Sequence, residues 1–278
     1  MRLVWQLLAV AAIAEAGSQA VAVVQDNPWL TLVIGVATAV FSVLVYAWVV
    51  RRTEHRTVEE VAREGAAGAV GRGVLIGVVW FGVVIANIAL LGDYHVHGIG
   101  SVTGAVGLVG FMAAAAVTEE LLFRGVLFRI VEGRFGTWIA LTATGVVFGC
   151  SHLLNKDATV WGAIAIALEA GGTLAAAYAA TRNLWVPIGL HFGWNFAESG
   201  IFSTDVSGNG TTHGLLDSAT SGSSLVTGGA FGPEASVYAV LLGALVTAAF
   251  LWLAHRRGRL VPLRRKAERA GAAATVAP

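Results

Sequence analysis

Apolar residues occur in this chain as long blocks, separated by short polar stretches. Eight blocks stand out, near residues 3–24, 28–50, 73–92, 101–131, 137–154, 159–180, 184–202 and 235–254. Windows of about 20 apolar residues are the length a helix needs to cross a bilayer, and no single soluble core requires so many of them. The pattern predicts an all-α fold, a polytopic membrane helix bundle of about eight transmembrane helices with any active site inside the bundle.

The stretches between blocks predict the connections. Residues 57–72 are too polar to span and read as an amphipathic or irregular link on the inner face. Residues 203–234 are rich in Gly, Ser and Thr and read as a mobile outer loop. The first block has a second reading as a signal peptide, with Arg2, an apolar run and "AEAG" at 14–17 as a small-residue cleavage site. Its continuation through "AVAVV" before Asp26-Asn27-Pro28 favours a retained span. The organisation is then two N-terminal spans and a connection over 1–72, a core over 73–254 and a basic tail over 255–278. No repeat, coiled coil, phosphate-binding glycine loop or nucleic-acid-binding stripe is present.

Composition sharpens this picture. Of 278 residues, 56% are hydrophobic and 13% charged, about half the charge of a soluble domain; the mean hydropathy is +0.73. The formal net charge of +1 says little, but its distribution orients the bundle. With the N-terminus inside, 16 of the 18 Lys and Arg fall on the inner side, Lys156 alone falls outside and Arg124 lies within the membrane. Both termini are therefore expected in the cytoplasm of a cell-membrane protein. The basic tail is expected to rest on anionic lipid rather than on nucleic acid. Sixteen Arg against two Lys, with abundant Ala, Gly and Val, point to a GC-rich bacterial genome. The single cysteine, Cys150, excludes an intramolecular disulfide and a cysteine-based zinc knuckle. Within its apolar run it reads as a small packed residue.

Against this solvent, the stretch "AAAAVTEELLFRGVLF" at 113–128 is anomalous, because it places Glu119, Glu120 and Arg124 in a membrane helix. Each charge costs about 2.5–3.5 kcal/mol at the bilayer centre on insertion scales. Glu120 and Arg124 are at i and i+4 and form a structural pair. Glu119 points about 100° away, leaving an intramembrane carboxylate without a local partner, a functional-site candidate by default. Two further intramembrane polar sites follow: His152, four residues after Phe148, in "GVVFGCSHLLN", and His191 with Asn195 in "VPIGLHFGWNF". Each pair shares one helix face. A Glu, two His and an Asn converging in one bundle can activate water and stabilise an oxyanion.

In this order the motifs resemble those of the CPBP family of intramembrane proteases, which contains type II CAAX prenyl endopeptidases and bacteriocin-processing relatives. "EELLFRG" fits EExxxR, "FGCSH" fits FxxxH and "HFGWN" fits HxxxN; "FGPE" at 231–234 is also similar to bacterial members. The resemblance implies an intramembrane endopeptidase in which Glu119 and His152 activate water. It implies that His191 and Asn195 hold the carbonyl oxygen or help ligate a metal, while Glu120 and Arg124 orient the helix. Two chemistries stay open, zinc held by Glu119, His152 and His191, or water activated with no cofactor. The expected partner is a membrane-associated peptide or protein substrate in a lipid bilayer. A non-catalytic immunity or scaffold protein on the same fold would carry the same residues. A transporter or proton relay would also use them, but no paired interrupted helices or inverted repeat is evident.

Other polar residues read as structural. Asp93, His95 and His97 in "DYHVHG" fit a surface turn. Glu169 lies mid-helix, lining the cavity or bonding a neighbouring helix. Pro233 and Glu234 fit the first turn and dipole of the last helix. Glu15 and Gln19 can pair at i, i+4. Counted from the inner face, His191 is expected to be shallower than His152.

Overall fold

The computed structural model describes residues 1–210 and 213–263, so most of the predicted basic tail lies outside the described residues. Seven helices among the described residues are long and apolar enough to cross a membrane: α1 (Arg2–Val24), α2 (Pro28–Glu54), α3 (Ala66–Leu90), α4 (Val102–Phe135), α5 (Thr137–Leu154), α6 (Val160–Thr181) and α8 (Val237–Arg256). The eighth predicted segment, 184–202, is helical but differs in kind. This helix, α7, runs Trp185–Asn195 and continues as a π-helical turn, Phe196–Ile201. At about 1.5 Å per residue it falls short of a ~30 Å hydrocarbon layer. None of its residues is exposed, so α7 is an inner strut held by the other helices.

Glycine explains how α7 is held. Gly73 and Gly77 on α3 face Gly189 and Gly193 on α7, and the contact is reciprocal. A Cβ on Gly77 would come 2.3 Å from the Leu190 carbonyl oxygen, and one on Gly193 would come 2.4 Å from that of Val74. Only hydrogen side chains allow backbones this close, which is how small residues spaced by four drive helix packing in lipid. The same device joins α2 to α4, where a Cβ on Gly35 would meet the Gly110 carbonyl oxygen at 2.2 Å. Apolar side chains on the outer faces of α1, α2, α5 and α8, among them Trp5, Phe41, Trp138 and Leu245, are exposed, as expected of surfaces solvated by lipid.

The basic residues gather at one end. Arg129 at the end of α4 donates to Glu54 Oε2 (2.7 Å) and Gln6 Oε1 (3.0 Å), tying α1 and α2 to α4. Arg56 forks onto Glu60, and Arg182 pairs with Glu132. Burial pushes the Glu60 carboxyl up, but the Arg56 guanidinium and the Tyr46 hydroxyl, which donates at 2.7 Å, hold it below its ordinary value.

Four expectations are corrected. The link at 57–72 is only half irregular: after Gly65, in the left-handed conformation at φ 69°, residues from Ala66 onward already belong to α3. The small residues there were mistaken for a connection. The outer loop at 203–234 carries structure, with Leu216–Thr220 pairing antiparallel with Tyr94–Ile99 in a two-stranded sheet (β2 and β1). His95 and His97 thus lie on a strand and not in a turn, both exposed. Cys150 is exposed on the outer face of α5, because the buried face of that turn is taken by Phe148 and Gly149. The Glu15–Gln19 pair forms as expected, at 2.9 Å.

Candidate active site

The site grows from α4. Glu119 and Glu120 end its regular part, and the chain then widens into a π-helical stretch, Leu121–Phe128, that carries Arg124. π-Turns displace side chains from the regular helical pattern and recur at functional sites. Two more occur nearby, Ala167–Gly171 with Glu169 and Phe196–Ile201 with Glu198.

Arg124 is 2% exposed and points inward. It donates to Glu120 Oε1 at 2.6 Å and to the carbonyls of Ala170 (3.2 Å) and Gly171 (3.4 Å) in the α6 π-turn, and its guanidinium lies 4.6 Å from the Phe148 ring centroid. The expected Glu120–Arg124 pair is therefore present and does more than pair. The same Glu120 oxygen meets His191 Nδ1 at 3.0 Å. A carboxylate only accepts, so Nδ1 carries the proton and Nε2 is left to face the site. His191 Nε2 lies 3.9 Å from Glu119 Oε2, too long for a direct bond. Glu119 is the accessible carboxylate of the two, its side chain 35% exposed against 0% for Glu120.

His152 follows the last regular turn of α5. Its Nδ1 donates to the Phe148 carbonyl oxygen at 2.8 Å, so its Nε2 is also free. Phe148 packs edge-on against both His152 and His191, with centroids 4.8 and 6.2 Å away. His152, His191 and Asn195 line one small cavity with Glu169, Glu234 and the Trp80–Trp194 pair. About 10 Å³ of it is free, the threshold for holding one water. Whatever their depths, His152 and His191 meet at one cavity, and the start of α7 is anchored by Leu184, fully buried with its N–H bonded to the Glu60 carbonyl.

The four predicted catalytic residues are thus distributed as three on the cavity wall and Glu119 at its edge, joined through His191. Among the described residues no group of three His, Cys, Asp or Glu side chains could hold a metal ion. Glu120 holds His191 Nδ1 and a carbonyl holds His152 Nδ1, which leaves both Nε2 atoms free.

Two acidic residues depart from the reading of the sequence. Glu234 does not cap α8; that role falls to Ser236, which accepts from the Ala239 N–H. Its carboxylate turns inward and accepts from Ser207 N–H and Oγ–H at 2.7 Å and from Trp194 Nε1–H at 3.2 Å. Glu198, fully buried one turn beyond Asn195, was not identified at all. Its signal was present, a carboxylate at i+7 from His191 on the same apolar helix, but it resembled a polar residue at a helix end.

Residues 100–197 match the family described as Type II CAAX prenyl endopeptidase Rce1-like, a span that contains Glu119, Glu120, Arg124, His152, His191 and Asn195. A Bacillus subtilis protein named "Putative membrane peptidase YdiL" is 28% identical over 155 residues, 50% of this chain and 61% of that protein. The chain thus matches about three fifths of the length of this curated relative. No solved structure matches the chain.

Proposed function

We propose that this chain, which belongs to the CPBP family through its Rce1-like segment at 100–197, is an intramembrane endopeptidase that hydrolyses a peptide bond with a Glu119-activated water. One observation carries the reading: Arg124, Glu120, His191 and Glu119 form a continuous series from a fully buried pair to an accessible carboxylate. Arg124 fixes Glu120 and Glu120 fixes His191, so the imidazole is oriented, with Glu119 beside it, before any substrate arrives. That is the preorganisation acyl-transfer chemistry needs.

Glu119 Oε2 and His191 Nε2, 3.9 Å apart, are close enough to act on one substrate carbonyl that approaches beside them. In the first step, a water on the Glu119 side attacks the carbonyl carbon and gives a proton to Glu119, with His152 Nε2 accepting the second hydrogen bond of that water. The oxyanion that forms is held by the Asn195 amide, with the oriented imidazole of His191 beside it. The C–N bond then breaks, and Glu119 returns the proton to the leaving amine. Low dielectric around the site strengthens each of these interactions. The substrate class is a membrane-anchored peptide or small membrane protein cut within reach of this buried site.

The test compares new N-termini in membranes of cells carrying the wild-type chain or Glu119→Gln, which keeps the side-chain size and removes the base. Termini present only with wild type are expected. Identical sets from equally abundant proteins would refute the assignment.

A further inference from the structure

Three buried carboxyl groups are not used by this chemistry: Glu169 on α6 and Glu234 on the turn before α8 line the cavity, and Glu198 lies on the π-turn of α7. They are 1%, 0% and 2% exposed. Glu234 has every donor it needs, two from Ser207 and one from Trp194. Glu198 is its opposite. No side-chain N–H or O–H closes a hydrogen bond to either of its oxygens, and the donor that approaches them is the backbone N–H of Glu234. The Glu198 carboxyl also faces that of Glu234 within hydrogen-bonding range, with Glu169 beyond. Its Oε1 lies against the same turn, 3.4 Å from where a Cβ on Gly232 would be. Two ionised carboxylates do not face each other in an apolar interior; one must carry a proton. Three donors mark Glu234 as the carboxylate, so the proton belongs to Glu198, and its O–H finds in Glu234 the acceptor it lacks elsewhere.

We propose that Glu198 and Glu234 share one proton, forming an acid–carboxylate clamp that positions the catalytic turn of α7. The clamp joins three pieces of chain. Glu198 lies one turn past Asn195, whose carbonyl also accepts from Ser199 Oγ at 2.7 Å. Trp194, beside Asn195, is held by Glu234, and Ser207 brings in the chain leaving α7. Fastened together, they close the cavity over His191 and Asn195. Both glutamates are positioning residues, and the proposal rests on the endopeptidase reading for what they position. The charged groups around the clamp are Glu169 from α6 and, facing Glu169 in turn, Arg124 from α4. No cation is among the groups that face Glu198. Loss of the shared proton as pH rises leaves two adjacent negative charges, and the clamp opens.

The experiment uses the full chain in lipid nanodiscs and has two arms. Infrared difference spectra, with protonated carboxyls identified by hydrogen–deuterium exchange, are recorded for wild type, Glu198→Gln and Glu169→Gln. A carbonyl band absent from Glu198→Gln and retained in Glu169→Gln is expected; a band unchanged in Glu198→Gln overturns the clamp. This arm needs no activity, so it stands or falls apart from the protease reading. In the second arm, a membrane-anchored peptide found cleaved by the wild type is followed against pH. Glu198→Gln keeps an N–H donor for Glu234 but has no proton to lose, so the alkaline fall in kcat moves to higher pH while KM stays. Glu234→Gln presents an amide to three donors and loses about a hundredfold in kcat, the scale of a small misplacement of reacting groups. A Glu198→Gln profile superimposable on wild type overturns the proposal.

Discussion

Replacing Arg124 by alanine tests how the site is held, and the structure sets the size of the effect. The guanidinium is 2% exposed and has four partners: Glu120, two carbonyls of the α6 π-turn and the face of Phe148. Removing one member of a buried ion pair costs about 3–5 kcal/mol, because the other charge is left in a low dielectric. Here Glu120 keeps one donor, His191 Nδ1 at 3.0 Å, which draws the cost toward the lower end. The freed carbonyls of Ala170 and Gly171 add back about 1 kcal/mol. A loss near 3–4 kcal/mol, at ~2–4 °C per kcal/mol for a chain of this size, lowers the thermal midpoint by roughly 6–16 °C. Glu119→Ala is the matched control. That side chain is 35% exposed and its nearest charged partner is 3.9 Å away, so a change within about 1 kcal/mol is expected. Tryptophan fluorescence during heating in one detergent compares both variants with wild type. Equal shifts, or a shift under ~2 °C for Arg124→Ala, would refute the division of the two glutamates into anchor and reactive group.

Five further outcomes are expected. Asn195→Ala is expected to slow peptide cleavage about a hundred- to a thousandfold by removing one oxyanion donor. Combining Glu119→Gln with His152→Ala should cost little beyond either alone, since groups serving one water act as a unit; multiplied losses in single-turnover rates would contradict this. Gly193→Leu should abolish folded yield, because its side chain would enter the Val74 backbone at 2.4 Å, whereas Gly82→Leu on the open face of α3 should be tolerated. The Glu60 carboxyl is held below its ordinary value when folded, so its contribution to stability is complete above the unfolded value of ~4.3 and is lost as pH falls. Acid titration of thermal stability should show this loss in wild type and a smaller one in Glu60→Gln. Reporter tags within 208–225 and at the C-terminus should lie on opposite sides of the membrane if both termini are cytoplasmic.

Much of the molecule was set by local pattern. Block length alone determined that the chain is a helical membrane bundle, because a backbone in lipid must satisfy its hydrogen bonds within each segment. The i, i+4 spacing of Glu120 and Arg124 determined their pairing, since neighbours on one helix need no other part of the fold. The order of Glu119, His152, His191 and Asn195 pointed to the helices that meet at the cavity, as a polar group in such segments is too costly to be incidental. What crosses between helices was decided only in three dimensions. That His191 bonds Glu120 depends on how closely α7 approaches α4, which pairs of glycines on α3 and α7 set by backbone contact. Glu234 read as a cap because its sequence neighbours form a helix start, yet its partners, Ser207 and Trp194, lie 27 and 40 residues away. Glu198, at i+7 from His191, does not reveal its surroundings for the same reason: it lies on a π-turn, and what it meets is on other segments. Spacing along one helix is fixed by the helix itself; which carboxylate meets which donor across the bundle is fixed by packing.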